Sequence, residues 1–402
     1  MLNVETLRVT LVAAMVLLAA QPAHADGTYG ADFRAHLLPE AGTAHASITI
    51  TQEAGELKRL DLAAPAATYS AFSGPGSIRR EEDRLVWTVP EDGGTLSYDV
   101  LIDHRRNGAY DARMTPDWAI ARLDDLFPRA RTRSESGAQS RSSVVLAGPA
   151  GWRFETRYGP SHEQVAVVDE GRRFDRPTGW LVAGRLGIRR DTIAGRTVSV
   201  AAPVGQGFRR VDVLAFLRWT LPDLVAVFPG MPDRLLVVGA PEGMWRGGLS
   251  GPESLYLHVG RPLISENGTS TLLHELVHIA TTAPKSAGDD WIMEGLAEYY
   301  SLETLRRSGG ISEERFASAL GSLAAWAQRD GGRLADPSTG AHTARAALTF
   351  HELAAELEDA GSSLDAVVGE LVAGGSLDRG SLLALLEPKL TEPSGILAEL
   401  PR

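Results

Sequence analysis

The sequence predicts an α+β protein, in which an N-terminal all-β domain is followed by a mainly helical domain with a small sheet. Up to about residue 205, short apolar segments alternate with polar residues between Gly, Pro and Asp clusters, a pattern typical of antiparallel strands. Beyond residue 206, apolar residues recur at three- and four-residue intervals, which is typical of helices. We therefore expect domains at 26–205 and 206–402.

The predicted strands of the first domain alternate with period two or are rich in β-branched and aromatic residues. They are 46–52, 84–89, 95–103, 142–148, 163–169 and 195–202. The segment RPTGWLVAG (176–184), which contains Trp180, is expected to be a structural strand and turn. No catalytic motif occurs in this domain, so we expect it to pack against the rest of the fold or to present substrate.

The second domain mixes a small sheet with a helical body. A helix is expected at 211–228, interrupted at Pro222. Candidate N-cap residues of later helices are Thr269 or Ser270, and Asp289 or Asp290. The remaining predicted elements are strands at 234–241 and 253–260, helices at 269–283, 290–307, 312–328 and 343–360, and a short C-terminal set of helices.

Composition limits the classes of partner. The chain has 402 residues, a net charge of −11, 44% hydrophobic residues and 23% charged residues, values typical of a soluble globular protein. We expect no nucleic-acid partner, because a nucleic-acid-binding surface is basic. The chain has no cysteine, which excludes disulfides and thiolate chemistry.

Residues 1–25 have the layout of a signal peptide. Arg8 precedes the apolar run VTLVAAMVLLAA (9–20), which is too short to span a bilayer comfortably, and the tripeptide 23–25 fits a small-x-small cleavage pattern. We expect cleavage before Asp26 and a secreted or periplasmic location, with an uncleaved membrane anchor as the alternative. No later segment has eighteen uninterrupted apolar residues, so we expect no integral membrane segment once the signal is removed.

The segment HELVH (274–278) contains the pattern H-E-x-x-H. On a helix, His274 and His278 lie one turn apart on the same face, so both imidazoles can bind one ion. Glu275 is displaced by about 100° around the helix and borders that ion without sharing the ligand face. Two neutral ring nitrogens suit Zn²⁺, and the adjacent carboxylate can take a proton from the water bound to it.

The helix expected at 290–307 can supply a third ligand. Catalytic zinc has three protein ligands and leaves one position for water. Glu294 can complete a His₂Glu site, and Glu298, one turn further along, can accept the free ring N–H of His274 and so fix its tautomer without binding the metal itself. The alternative is that both glutamates are solvated, since exposed Glu side chains are common on helices.

Together, HELVH and WIMEGLAEYY (291–300) resemble the gluzincin metallopeptidases, with the M1 aminopeptidase and M61 glycyl-aminopeptidase pattern of H-E-x-x-H followed by W-x-x-E-G-x-x-x-Y. Fifteen residues separate His278 from Glu294, fewer than is usual in M1 enzymes. The resemblance is specific over roughly 245–300. It implies a thermolysin-like catalytic domain with one zinc ion per chain, held by the two histidines and Glu294, and with Glu275 as general base.

The segment GGLSGP (247–252) is similar to the G-x-M-E-N-P edge strand of M1 enzymes, which in that family pairs with the substrate backbone. The resemblance implies substrate-binding roles for Gly247, Gly248, Leu249 and Ser250. Ser250 stands where the family has the Glu that binds a free amine, and a hydroxyl cannot supply that negative charge. Strict selection for a free N-terminus is therefore not expected.

The Tyr that stabilises the oxyanion in M1 enzymes also has no counterpart. The matching segment HTARAAL (342–348) puts Thr343 at that position, and no Tyr follows Tyr300. His342 can donate a hydrogen bond to the oxyanion instead, or it is a plain surface histidine. Losing one oxyanion donor costs about two to three powers of ten in rate.

These patterns predict an exported zinc-dependent metallopeptidase that hydrolyses a peptide or protein substrate by Glu-assisted attack of zinc-bound water. Two alternatives stay open. One is a catalytically weak or inactive zinc-containing peptide-binding protein derived from a gluzincin, which the missing Tyr and amine-binding Glu favour. The other is a purely structural zinc site, which would need a fourth protein ligand.

Overall fold

The computed structural model describes residues 27–135, 137–169, 172–281, 288–330, 333–334 and 337–390. The expected signal peptide at 1–25 lies outside these ranges. Within them, no helix combines the length and the apolar character needed to cross a bilayer.

Three sheets form the N-terminal part. Their strands, with one short helix, are β1 (Thr28–Leu38), β2 (Thr43–Thr51), β3 (Leu57–Ala63), β4 (Tyr69–Ser73), β5 (Ser77–Glu81), β6 (Arg84–Thr88), β7 (Gly94–Leu101), β8 (His104–Arg106), β9 (Ala109–Met114), β10 (Trp118–Arg122), α1 (Leu123–Leu126), β11 (Ala130–Ser134), β12 (Gln139–Ala147), β13 (Arg153–Thr156), β14 (Gly159–Pro160), β15 (Val165–Val167) and β16 (Trp180–Gly184). The first sheet has the order β15-β12-β1-β2-β7-β4, the second β14-β13-β16-β10-β9-β8, and the third β11-β3-β6-β5.

The first sheet buries one face because its strands alternate. In β1, the residues Tyr29, Ala31, Phe33, Ala35 and Leu37 are buried, whereas the residues between them are partly or fully exposed. β1 pairs with β2 in antiparallel and with β12 in parallel orientation. The buried face shares one apolar core with the third sheet and with one face of the second sheet.

Two strands of the second sheet are buried on both faces. β10 (WAIAR) and β16 (WLVAG) are almost wholly apolar, which is typical of strands covered on both sides. In β10, Ala119 and Ala121 face the N-terminal core, whereas Trp118 and Ile120 face a separate core shared with the C-terminal sheet. The second sheet is therefore a middle layer between the first sheet and the C-terminal part.

The C-terminal part contains one sheet and a helical body, so the α+β class is as expected. Its elements are β17 (Leu186–Ile193), β18 (Arg196–Pro203), α2 (Arg210–Val227), β19 (Arg234–Ala240), β20 (Gly248–Gly251), β21 (Ser254–His258), α3 (Thr271–Ala280), α4 (Asp290–Arg307), α5 (Glu313–Ala327), a 3₁₀ helix (Gln328–Asp330), α6 (Ala341–Asp359), α7 (Leu364–Ala373) and α8 (Arg379–Leu386). The sheet has the order β17-β18-β19-β21-β20, with β20 at its edge.

The expected domain boundary near residue 205 falls inside this unit. β17 and β18 precede residue 205, yet β18 pairs in parallel with β19, which pairs in parallel with β21. Parallel strands are joined by long connections, here through α2, so their pairing leaves no local signal in the sequence. One face of the sheet packs on the middle layer and the other on the helices.

Helices α3 and α4 pack against each other and carry the candidate site. Ser270 caps α3, because its Oγ accepts a backbone N–H of the first turn at 3.4 Å. Asp289 stands at the N-cap position of α4, but its carboxylate does not cap the helix and instead accepts the Arg379 N–H at 3.1 Å. α4 also packs tightly on α6 at Gly295, where a Cβ would lie 2.8 Å from the Cβ of Ala346.

Candidate metal centre

α3 turns its two histidines away from the apolar core. Within the HELVH segment, Leu276 and Val277 are fully buried in the core of the helical body. His274 and His278 are partly buried and line a cleft. One face of α3 therefore packs in the core, and the opposite face carries the two imidazoles.

α4 places two carboxylates opposite these imidazoles. Glu294 and Glu298 are one turn apart, so they project from the same side of the helix. The neighbouring Trp291 and Leu296 are buried and fix α4 against the core. The ring Nδ1 of His274 lies 3.1 Å from Glu298 Oε2.

The three expected ligands come together. His274 Nε2 and His278 Nε2 are 3.0 Å apart. Each of these nitrogens lies 3.5 Å from a carboxylate oxygen of Glu294. Within the described part of the chain, these three residues form a group whose ligand atoms all lie within 4.8 Å of one another.

This donor set fits a zinc ion. Zn–N and Zn–O bonds of about 2.0–2.1 Å place neighbouring ligand atoms of a tetrahedron about 3.3–3.4 Å apart, and the observed separations of 3.0–3.5 Å bracket that value. Two ring nitrogens that face each other at 3.0 Å suit a shared cation, since both can then present lone pairs. Three protein donors also leave one position for a small ligand, which a structural zinc site would not.

The electrostatic surroundings favour positive charge. Burial alone would lower the pKa of the His274 imidazole, but its hydrogen bonds to Glu294 and Glu298 outweigh burial and raise that pKa to about 10. The negative charge that stabilises an imidazolium at this point would also stabilise a bound dication. The carboxylate of Glu298 lies 3.1 Å from His274 Nδ1, where it can accept the ring N–H and hold the ring in one orientation.

Glu275 borders the ligand face and touches the edge strand. Its Oε2 accepts the backbone N–H of Ser250 at 2.7 Å. Burial raises the pKa of the Glu275 carboxyl, while the charge on His274 and the bond from Ser250 oppose that rise. The carboxylate is therefore held between α3 and β20, beside the three potential ligands.

β20 presents a backbone edge to the cleft. The carbonyl of Gly247 accepts the His258 N–H at 3.0 Å, so Gly247 points inward, toward β21. The backbone N–H and C=O groups of successive residues in a strand point to opposite edges. Those of Gly248 and Ser250 therefore point away from β21, as the bond from the Ser250 N–H to Glu275 shows. A Cβ on Gly248 would lie 2.8 Å from Glu275 Cγ, so glycine is needed for the close approach of β20 and α3.

Of the four strand residues expected to bind substrate, three line the cleft. Gly248, Leu249 and Ser250 are part of the lining, whereas Gly247 is packed against the ring of Trp245, where a Cβ would lie 2.0 Å from the ring. The glycine at 247 is therefore explained by packing.

Two cavities meet at His274. The one beside β20 has a volume of about 580 Å³ and also includes Arg106 and Arg122 of the N-terminal part. The other has a volume of about 480 Å³, and its lining includes Trp326 and Thr343. His274 and Glu294 line both cavities, so the cluster lies where they meet.

His342 is not brought to the cluster. Its Nδ1 lies 2.9 Å from the backbone carbonyl of Arg333, and the residue belongs to the lining of neither cavity. Thr343 does line the smaller cavity, but its hydroxyl donates to the carbonyl of Ser338 at 3.0 Å. The structure thus gives no support to His342 as a replacement for the missing Tyr.

The N-terminal part contributes residues that the sequence did not indicate. The indole Nε1–H of Trp180 donates to the carbonyl of Leu249 at 2.9 Å, which ties the edge strand to β16. Arg122, the last residue of β10, places Nη1 at 3.5 Å from the carbonyl of Ser250. Since 128 residues separate Arg122 from Ser250, no local pattern could have revealed this contact.

Comparisons with solved structures show a known fold. The chain is similar to an aminopeptidase N family protein from Idiomarina loihiensis, with a TM-score of 0.67 and 15% identity over 90% of this chain and 73% of that chain. It is also similar to native leukotriene A4 hydrolase from Saccharomyces cerevisiae, with a TM-score of 0.54 and 14% identity over 92% of this chain and 67% of that chain. No protein-family model and no curated protein matches the chain.

Proposed function

We propose that the chain is an exported zinc metallopeptidase of the gluzincin type, with a thermolysin-like catalytic domain. The observation that carries this proposal is the cluster of His274, His278 and Glu294, with Glu275 beside it and a strand edge within hydrogen-bond reach. The likeness to an aminopeptidase N family protein and to leukotriene A4 hydrolase supports a hydrolase-like fold.

Each residue of the cluster has a distinct role in this proposal. His274, His278 and Glu294 would hold the zinc ion, and Glu298 would keep the His274 ring in one tautomer through Nδ1. A bound zinc ion would polarise both a water molecule and the scissile carbonyl. Glu275 would accept the proton of the attacking water and pass it to the leaving amine.

The edge strand would align an extended peptide substrate. Backbone groups of Gly248 and Ser250 face the cleft, and a peptide added alongside β20 would extend the sheet. Ser250 carries no charge, so the strand offers no carboxylate to a substrate ammonium. We therefore propose that cleavage does not require a free N-terminus.

The second candidate function is peptide binding with little or no hydrolysis. The resemblance to M1 enzymes puts Thr343 where that family has the oxyanion-stabilising Tyr, and the Thr343 hydroxyl donates to the carbonyl of Ser338. The presence of Glu275 opposes this candidate, because a binding module needs no general base beside a metal ion.

Metal analysis combined with an unbiased peptide library separates the two candidates. The wild-type chain and the Glu275→Gln variant should each bind one zinc ion, and only the wild type should cleave. A Glu314→Gln variant, which changes an exposed carboxylate on α5, serves as the matched control and should behave as the wild type. Zinc in both proteins with cleavage in neither would favour peptide binding. Wild-type protein that binds no zinc would contradict both candidates.

Export is a separate part of the proposal. If residues 1–25 direct secretion, the protein recovered from outside the cytoplasm should begin at Asp26 when its N-terminus is sequenced. Recovery of the chain only with the membrane fraction, with its N-terminus intact, would instead indicate an uncleaved anchor.

A further inference from the structure

Two arginines from the N-terminal part line the same cavity as the candidate metal ligands. Arg106 ends β8, Arg122 ends β10, and both belong to the lining of the 580 Å³ cavity that also contains Glu275. The same lining includes Glu275 and Glu294, so the cavity carries two guanidinium groups on the N-terminal side and two carboxylates on the helical side. The position of the two arginines calls for a functional explanation.

Arg122 is oriented toward the edge strand with most of its donors unused. Its guanidinium carbon lies 5.1 Å from the ring centroid of Trp180, and Nη1 is 3.5 Å from the carbonyl of Ser250. The ion-pair partner of Arg122 is Asp124, at 3.8 Å from Nε. That carboxylate is closer to other donors, at 2.8 Å from Gly179 N–H and 3.3 Å from Arg176. A guanidinium has five N–H donors, so Arg122 retains capacity for an anion.

Arg106 is held in a similar way. Its guanidinium carbon lies 5.4 Å from the ring centroid of Trp245, and its Nε is 3.4 Å from Asp111. Asp111 also accepts from the His104 ring at 2.5 Å, so its charge is shared. An aromatic face under a guanidinium restricts its motion and leaves the in-plane N–H groups available.

We infer that Arg122 and Arg106 form a subsite for a carboxylate of the substrate, next to the scissile bond, and this rests on the proposed function. Ser250 carries no charge of its own, and Arg122 places a positive charge beside its backbone carbonyl. The planar fork of a guanidinium matches a carboxylate and can bind it through two hydrogen bonds. The cleft thus offers an anion-binding group beside the edge strand.

The geometry sets where on the substrate this carboxylate lies. Ser250 N–H contacts Glu275, and the Ser250 carbonyl contacts Arg122. One strand residue spans about 3.3 Å, so Arg122 is roughly one residue away from the general base along the strand. The carboxylate belongs to a residue flanking the scissile bond, either as an Asp or Glu side chain or as a terminal α-carboxylate.

Calorimetry on the zinc-loaded Glu275→Gln protein tests this without turnover. Three alanine pentapeptides are compared: one capped with a central Glu, one capped with a central Gln, and one with a free C-terminal carboxylate. We expect at least one carboxylate peptide to bind about tenfold or more tightly than the Gln peptide. The Glu peptide identifies a side-chain carboxylate, and the free-terminus peptide an α-carboxylate. Equal affinity for all three would overturn the inference.

Arginine variants provide the matched controls. Arg122→Gln should abolish the preference, and Arg106→Gln should reduce it. Arg105→Gln should leave it unchanged, because Arg105 stacks on Tyr110 at 3.8 Å and does not line the cavity. Arg122→Glu should reverse the preference toward a central Lys, an outcome that a variant that failed to fold could not give. If the Arg122→Gln variant kept the preference for a carboxylate peptide over the Gln peptide, Arg122 would not be part of a carboxylate subsite.

The two proposals fail separately. Library cleavage by the wild type without an acidic preference would leave the peptidase intact and overturn the carboxylate subsite. A carboxylate preference in binding without any cleavage would keep the subsite and contradict hydrolysis. Raising the ionic strength should weaken the preference of the wild type, because screening acts on a partly exposed charge.

Discussion

Replacing Glu298 should weaken zinc binding in two graded steps. His274 Nδ1 lies 3.1 Å from Glu298 Oε2, and this contact is the one that fixes the ring for a ligand bond through Nε2. Glu298→Gln keeps an oxygen acceptor but removes the charge, which leaves a neutral hydrogen bond. Glu298→Ala removes the acceptor as well and leaves the ring free to turn.

The magnitudes follow from the strength of these bonds. A hydrogen bond to a charged group contributes about 1.5–3 kcal/mol and a neutral one about 0.5–1.5 kcal/mol, so Gln should cost about 1 kcal/mol, or about fivefold in zinc affinity. Ala should cost about 1.5–3 kcal/mol, or roughly 10–100-fold, which is the usual range for such partners.

Competition with a chromophoric chelator measures these affinities without reference to activity. Glu314→Gln removes an exposed carboxylate on a neighbouring helix and should leave the affinity within about twofold of the wild type. If Glu298→Ala binds zinc as tightly as this control, the argument that Glu298 orients His274 is refuted. A loss in Ala without an intermediate loss in Gln would show that the charge of Glu298 contributes little.

Three further outcomes follow from other contacts. Burial would raise the pKa of Glu303, but hydrogen bonds from two arginines lower it, so Glu303→Gln should cost about 2–3 kcal/mol of stability at pH 7. The pKa of Glu303 in the folded protein lies below its unfolded value of about 4.3. The difference in unfolding free energy between wild type and variant, measured with urea, should therefore be complete above about pH 4.3 and disappear as the pH falls through the folded pKa. Trp180→Phe removes the bond to the carbonyl of Leu249 and should cost about 1–3 kcal/mol and weaken peptide affinity in calorimetry, with zinc content unchanged. Gly248→Ala would put a Cβ 2.8 Å from Glu275 Cγ and should lower cleavage about 100-fold while zinc stays bound.

The helices that carry the site could be predicted because their signals are local. A predicted helix at 290–307 corresponds to α4, and the spacing of four between His274 and His278 fixes their common face wherever the helix packs. The same arithmetic relates Glu294 to Glu298. The spacing within each helix does not predict that α3 packs against α4, which only the structure shows.

Pairing between strands that are far apart in the sequence could not be predicted. Alternation marked 195–202 as a strand but could not assign it to the C-terminal sheet, because its partner β19 begins at Arg234, across the whole of α2. The near-continuous apolar runs of β10 and β16 indicate burial on both faces, yet not what covers them. Asp289 or Asp290 was expected to cap α4, and Asp289 does occupy the N-cap position, but its carboxylate accepts the backbone N–H of Arg379, 90 residues away.

The middle layer explains why the N-terminal part belongs to the site. Trp180 bonds twice to the C-terminal sheet, through its backbone N–H to Ser254 Oγ at 2.8 Å and through its indole to Leu249 at 2.9 Å. The edge strand that would align a peptide is therefore held by its pairing with β21 and by the Trp180 contact from β16, and its other edge faces the cleft. Since β16 and β10 are packed on both faces, the backbone from which Arg122 projects is fixed relative to the C-terminal sheet. If the proposed function holds, a substrate carboxylate bound by Arg122 would therefore lie at a set distance from Glu275, which lines the same cavity.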